Sequence, residues 1–186
     1  MSMKVSCSQT LEFFIGRYGR ELLVPAELPQ IARVARLAAA SCFREIILED
    51  VPPDAVAWDR NFQSASRRVG RAQLRRLRPL RDVKGLARYR QAVDSGKATG
   101  THTVVFGIML GLYSIPLRQG LSHYASQTIH SLADSGADRL GLPLEERQSV
   151  HGTLDSVIWS LVQQKVDELL PSTFAGIEPG PGSEST

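Results

Sequence analysis

Four histidines and two cysteines are the side chains best suited to bind a metal ion, and their spacing argues against a closed metal site. His123 and His130 are seven residues apart in a segment predicted to be one helix, which separates them by about 10 Å along its axis. One metal ion cannot bind both rings over that distance. Cys7 and Cys42 are also far apart, and no two of these residues have the short spacing of zinc ligands. His102 precedes an apolar segment and remains the one candidate for a metal ligand or a partner contact, with a buried or helix-capping histidine as the alternative.

The sequence carries no motif typical of an enzyme. It lacks a G-x-S-x-G nucleophile elbow, an H-E-x-x-H helix and a dinucleotide fingerprint. The fragment GKATG misses both the leading glycine and the Ser or Thr of a phosphate-binding loop. Two carboxylate pairs, Asp134 with Asp138 and Asp167 with Glu168, fall on predicted helix surfaces near basic residues, which is typical of exposed ion pairs. We therefore expect no catalytic residues, and an enzyme with a helical pocket is the weakest of three hypotheses.

Positive charge is concentrated in one part of the chain. Residues 60–90 contain eleven Lys or Arg and one acid, a net charge of +10, whereas the remainder has eleven basic and eighteen acidic residues, a net charge of −7. Three interpretations of the arginine-rich segment 67–78 stay open: a solvated helix face, a docking surface for an acidic protein or a second copy, and a nucleic-acid-binding face. No aromatic residue is interleaved with these arginines, which argues against nucleic acid.

Length and composition indicate a single globular domain. A chain of 186 residues can bury a substantial core, and its hydrophobic content of 42% is ordinary for such a domain. The two cysteines form no disulfide framework, and the sequence shows neither a secretory signal nor an apolar segment long enough to cross a bilayer. We expect a cytoplasmic protein without membrane contact.

Apolar periodicity predicts an all-α bundle of about six or seven helices organised around a buried central helix. Residues 103–113 are nearly all apolar, with Gly107 and Gly111 one turn apart, as in a helix packed closely on several sides. A long helix follows Pro116, and Gly141 is its predicted C-cap. The helical domain spans residues 1–170, and the Pro-, Gly- and Ser-rich residues 171–186 are predicted to be disordered.

The remaining helices are predicted at 8–18, 29–48, 55–78, 83–94 and 144–170. In the first, Ser8 is the predicted N-cap and the three aromatic residues are assigned to the core. Cys42 is expected to be a small core side chain of the second helix. In the third, Val69 is expected on the inward stripe, and Gly70 suggests a close helix crossing because glycine costs about 1 kcal/mol of helix propensity relative to alanine.

A series of short motifs runs along the chain in a recognisable order. Gly100 and His102 form a G-x-H, followed by V-x-F-G, by P-L at residues 116–117, and by a helix ending in A-x-R-L at Arg139 and a second P-L. Upstream lie Ser66, Gly70 and Arg71 in S-x-x-x-G-R, and Ser8 and Glu12 at the start of the first helix. In this order the motifs resemble the UreF family of urease accessory proteins, although the family's P-x-G-x-F stretch and the R-H-E and R-L-F-R-S motifs of its C-terminal tail have no counterpart here.

The resemblance implies the all-helical UreF fold, a homodimer and a non-enzymatic role. On this reading the chain joins a UreD-type (UreH-type) protein and the UreG-type GTPase on apo-urease, with no tightly bound cofactor and with nickel as the transferred cargo. His102, Arg71 and Arg139 are the expected partner contacts, with Ser66, Ser8 and Glu12 as structural supports. The competing hypothesis is a nucleic-acid-binding or regulatory protein that uses the arginine-rich face.

Overall fold

The computed structural model describes residues 7–50, 60–79 and 83–170. In these ranges the chain forms eight α-helices and one π-helical segment, and no strand occurs in them. The helices are α1 (Ser8–Tyr18), α2 (Leu28–Ala39), α3 (Phe43–Glu49), α4 (Arg60–Arg76), α5 (Val83–Asp94), α6 (His102–Leu112), α7 (Leu117–Leu140) and α8 (Leu144–Leu169). The π-helical segment, Gly19–Glu27, joins α1 to α2 without a break, so the described chain makes seven separate helical runs. The predicted all-α single-domain bundle is confirmed.

Helix α6 is the buried centre of this bundle, as its apolar sequence predicted. Eight of its eleven residues are buried, and it lies against α2 and α4. A Cβ atom at Gly107 would stand 2.9 Å from the carbonyl oxygen of Ile31, and one at Gly111 would stand 2.5 Å from that of Ala35. Both glycines therefore allow the backbones of α6 and α2 to approach each other closely.

Two hydrophobic cores lie on either side of α6. One contains side chains of α1, the π-helical segment, α7 and α8. The other contains side chains of α3, α5 and the C-terminal end of α4, and α2 and α6 contribute to both. Gly141 ends α7 in the left-handed conformation, with φ of 63°, which confirms its assignment as a C-cap. Among the described helices, none combines the length and the apolar character that crossing a membrane requires.

The first helical run departs from the sequence prediction in three ways. The N-cap is Cys7 instead of Ser8, and the backbone N–H of Cys7 donates to Thr10 Oγ1 at 3.0 Å. Gly19 does not end the run, because the chain continues through a π-helix that accommodates Pro25. Phe13 points outward with 57% of its surface exposed, whereas Phe14 is half-buried and Tyr18 is buried as expected.

The helix predicted at 29–48 is divided into α2 and α3. Ser41 adopts a positive φ of 61°, and the turn at residues 40–42 redirects the chain before α3. Cys42 consequently serves as the half-buried N-cap of α3 and lies outside the core to which the sequence assigned it.

On α4 the inward face contains Gly70 and Leu74, whereas Val69 is 46% exposed, so its assignment to the inward stripe was wrong. The part of this helix predicted at 55–59 and the tail 171–186 lie outside the described residues.

Candidate functional site

Residues from two motifs distant in sequence meet where α4 crosses the segment leading into α6. A Cβ atom at Gly70 would lie 2.6 Å from the carbonyl carbon of Thr101 and 2.7 Å from the backbone nitrogen of His102, with the carbonyl oxygen of Gly100 nearer still. Only glycine fits this crossing without displacing backbone. One turn earlier on α4, Ser66 Oγ accepts the backbone N–H of His102 at 3.2 Å. Ser66 therefore accepts a hydrogen bond from one of the backbone N–H groups at the start of α6 that have no acceptor within the helix.

The buried carboxylate of Asp50 holds the same segment from the opposite side. Asp50 Oδ2 accepts the backbone N–H of Gly100 at 2.6 Å and the hydroxyl of Tyr89 at 2.8 Å, and its Oδ1 accepts the hydroxyl of Thr101 at 3.1 Å. Gly100 adopts a positive φ of 72°, a conformation that favours glycine. Burial, followed by the neighbouring Asp50, raises the pKa of Tyr89, so its hydroxyl stays protonated and donates. The 100–102 segment is thus fixed by α3, α4 and α5 together.

His102 turns its half-buried ring toward two aromatic side chains. Its ring centroid lies 5.3 Å from that of Tyr124 on α7 and 6.1 Å from that of Phe106 one turn further along α6. Burial lowers the pKa of His102 below its ordinary value of about 6.5. The imidazole is therefore neutral at pH 7 and keeps one ring nitrogen with a lone pair, which a metal ion or a hydrogen-bond donor can use.

Tyr124 links His102 to a second buried carboxylate. Glu27 ends the π-helical segment, and its Oε2 accepts the hydroxyl of Tyr18 at 2.7 Å and that of Tyr124 at 3.0 Å. Burial raises the pKa of Glu27, and the two tyrosine hydrogen bonds oppose that effect. The carboxyl, the two hydroxyls and the ring of His102 form one contiguous polar and aromatic cluster inside the first core.

Arg71, next to the crossing, is exposed but anchored. Its Nε donates to the carbonyl oxygen of Thr99 at 3.3 Å, and the residue as a whole is exposed. Two other cations of the basic segment stabilise the end of α4: Arg78 donates to the carbonyl oxygen of Arg75 at 2.7 Å, and Arg90 donates to that of Leu77 at 2.8 Å. Cations bonded to the last carbonyl groups of a helix complement its dipole. Part of the basic segment therefore has a structural role.

The remaining predicted residues lie away from the crossing. Arg139 is exposed in the last turn of α7, fifteen residues beyond Tyr124, which corresponds to about 22 Å of helix. Ser8 and Glu12 are half-buried in the first turns of α1. The structure thus brings together Ser66, Arg71 and His102 and leaves Arg139, Ser8 and Glu12 outside their cluster.

An unpredicted histidine pair lies between α7 and α8. The rings of His130 and His151 are 5.1 Å apart, and each bonds an aspartate on the opposite helix, His130 with Asp155 at 3.0 Å and His151 with Asp134 at 2.9 Å. Both aspartates are exposed, so the two bonds are surface ion pairs of modest energy when the histidines are charged. In the described ranges, no group of three or more His, Cys, Asp or Glu side chains has the geometry to hold a metal ion.

Comparison with protein-family models matches residues 5–142 to UreF. The chain belongs to the UreF family. Its members are urease accessory proteins, which act in support of an enzyme and are not themselves enzymes. The matched range contains every predicted site residue as well as Asp50, Glu27 and Tyr124. Among curated proteins, no match to the chain is found.

Sequence reasoning missed both buried carboxylates of this UreF-family chain. Asp50 follows Glu49 in an acidic pair, and only the fold distinguishes the buried member from the half-buried one. Tyr18 gave a usable signal, because it was assigned to the core and a buried hydroxyl requires a partner. That requirement predicts an acceptor in the core, and Glu27 supplies it.

Proposed function

We propose that this chain acts in urease maturation as a scaffold without catalytic activity of its own. It joins a UreD-type (UreH-type) protein and the UreG-type GTPase on apo-urease, so that nickel passes to the enzyme as cargo. The observation that carries the proposal is the UreF match over residues 5–142. Further support comes from the crossing, where family-like residues of two separate motifs fix one segment of backbone. The working form is a homodimer in the cytoplasm.

The placement of the candidate contacts suits a bridging role. Arg71 is exposed beside the crossing and Arg139 is exposed near the far end of α7, so the two can contact different proteins at the same time. His102 lies half-buried behind Arg71 with a neutral imidazole, which supports a transient contact with nickel or with a partner. Ser66 binds the backbone of His102 directly. The supporting role of Ser8 and Glu12 in α1 is part of the proposal.

Size-exclusion chromatography with light scattering tests this proposal directly. The chain is measured alone and then with the UreD-type and UreG-type proteins and apo-urease of the same organism. We expect a homodimer that enters a complex containing both accessory partners. A chain that elutes separately, in the presence of partners shown to be folded, would refute the scaffold function.

Single substitutions then test the contacts. Arg139→Ala should weaken one pairwise complex while the chain remains folded, because the side chain is exposed and bonds no described group. Arg44→Ala, an exposed arginine on α3, is the matched control. Equal binding by both variants would remove Arg139 from the list of contacts and leave the scaffold role intact.

A further inference from the structure

The basic segment, residues 60–90, leaves a group of surface cations without an ion-pair partner among the residues that the structure describes. Arg67, Arg68, Arg75 and Arg76 on α4 are exposed, and none forms an ion pair with any residue that the structure describes. Elsewhere Arg17, Arg33, Arg118, Arg147 and Lys165 each pair with a carboxylate. Arg20, Arg44 and Arg139 are also exposed without an ion pair among the described residues, so α4 is distinguished by carrying four such arginines on one helix. We call the four unpaired residues the arginine face.

Helix geometry places three members of the arginine face side by side. At 100° per residue, Arg68 and Arg75 lie within about 20° of each other and are turned away from the buried Gly70, and Arg67 lies about 80° from Arg75, at the edge of the buried face. Arg67 and Arg75 are two turns apart, which is about 12 Å along the axis. Two further exposed cations, Lys84 and Arg88, lie on α5, which Arg90 joins to the end of α4.

The surroundings of these cations favour a protein over a nucleic acid. Binding of single strands uses exposed aromatic rings on which bases stack. The one aromatic side chain that the structure describes on α4, Phe62, instead packs its ring 5.3 Å from that of Tyr18. Of the exposed apolar side chains in this region, Val69 at 46% and Val83 at 61% are aliphatic, and the hydroxyl of the aromatic Tyr113, at 45%, accepts the backbone N–H of Arg78. Aliphatic groups among arginines suit a protein surface that combines carboxylates with apolar side chains.

We infer that the arginine face is the docking surface for an acidic protein surface, rich in Asp and Glu, on one of the partners of the proposed scaffold. The inference rests on the proposed function for the identity of that partner. The charge, the exposure and the absence of ion pairs among the described residues carry it. Carboxylates spaced one or two turns apart on a partner helix would match the spacing of Arg67 and Arg75. Such contacts accelerate association and weaken as salt is added.

A charge-reversal pair with a matched control tests the inference on the full-length chain. Arg67→Glu with Arg75→Glu reverses the charge of the arginine face. Arg20→Glu with Arg44→Glu applies the same change to exposed arginines of the π-helical segment and α3. Circular dichroism verifies that both variants are folded. Binding to the UreD-type protein, the UreG-type protein and apo-urease is measured by biolayer interferometry at 50 mM and 300 mM NaCl, with a 20-base-pair DNA duplex as a further probe.

We expect the Arg67/Arg75 variant to bind one of the three proteins at least about tenfold more weakly at low salt, with a smaller salt dependence, while the control binds like the wild type. If the wild type binds its partners and both variants do so equally well, the docking assignment is overturned and the scaffold function stands. A wild type that binds none of the three proteins overturns the function and the assignment together. DNA binding tighter than any protein binding, and lost in the Arg67/Arg75 variant, overturns the acidic-protein assignment in favour of nucleic acid.

Discussion

Substitution of Gly70 by alanine is the sharpest test of the crossing between α4 and the 100–102 segment. In a helix interior the change normally stabilises by about 1 kcal/mol, because alanine has the higher helix propensity. Here the new methyl group would meet three backbone atoms, at Gly100, Thr101 and His102, all nearer than 3.0 Å. Backbone atoms cannot rotate away as a side chain would, so the overpacking cost should reach about 3 kcal/mol, the upper end of its usual range. The gain from helix propensity offsets part of this cost, so we expect Gly70→Ala to lower the free energy of unfolding by about 2 kcal/mol.

Gly152 supplies the control for this substitution. It lies within α8, and a Cβ atom there would have no neighbour within 4 Å. Gly152→Ala should therefore show the propensity gain alone, a stabilisation of about 1 kcal/mol. For a chain of this length, Gly70→Ala should lower Tm by about 4–8 °C and Gly152→Ala should raise it by about 2–4 °C.

Equilibrium unfolding in urea measures both variants against the wild type. The opposite signs are the diagnostic result, since the two substitutions are chemically identical and differ only in what surrounds the glycine. Should Gly70→Ala prove as stable as the wild type, the close contact between α4 and the 100–102 segment would be refuted. A loss of stability in both variants would indicate instead that the helix-propensity argument fails in this protein.

Three further substitutions test the polar groups around the crossing. Burial raises the pKa of Glu27, so the folded state holds this proton more tightly than the unfolded state does. The contribution of protonated Glu27 to the free energy of unfolding is therefore complete below the unfolded-state pKa and is lost as pH rises through the folded-state pKa. Glu27→Gln should remove that loss of stability, because glutamine does not titrate. The urea midpoints of the wild type and of Glu27→Gln are compared between pH 4 and pH 8. A difference in midpoint that stays constant over this range would show that the carboxyl does not titrate as described. Burial lowers the pKa of His102. The neutral ring therefore contributes to the stability of the fold above about pH 6.5, and this contribution is lost as pH falls through the folded-state pKa. An NMR titration, in which the His102 signal is assigned with the variant His102→Phe, should give this ring a pKa below its ordinary value. A pKa at or above about 6.5 would contradict the burial of the imidazole. Asp50→Ala leaves the hydroxyl of Tyr89 and the backbone N–H of Gly100 without their acceptor and should cost about 3 kcal/mol, whereas the exposed Asp94→Ala should be nearly neutral in the same denaturation assay.

Helix positions and the central place of α6 could be predicted from the sequence, because long apolar patterns and their caps are local signals. The predictions for α5, α7 and α8 agree with the structure to within one residue at each end. The early helices were predicted less well. Neither the left-handed Ser41 nor the π-helix that carries Pro25 has a local sequence signature, since packing against the rest of the bundle decides both.

The site was predictable only in part, for the same reason. Gly70 could be singled out because a glycine inside a helix requires an explanation, and the structure supplies a close crossing. The groups that fix the 100–102 segment could not be deduced, because Asp50 binds this segment from a position remote in sequence and Tyr89 acts only through Asp50. The contact roles of His102, Arg71 and Arg139 remain predictions that binding measurements have to test.

The position of α6 between the two cores has a consequence for hydrogen exchange. Because α2 and α6 contribute to both cores, neither core can open fully while the other stays closed around the central helix. Amide protons at the centre of α6 should therefore exchange with solvent only when the whole bundle unfolds. Protons in α3, which lies at the edge of the second core, should exchange through smaller local openings. The bundle thus combines a slowly exchanging axis with a periphery that can adjust when a partner binds.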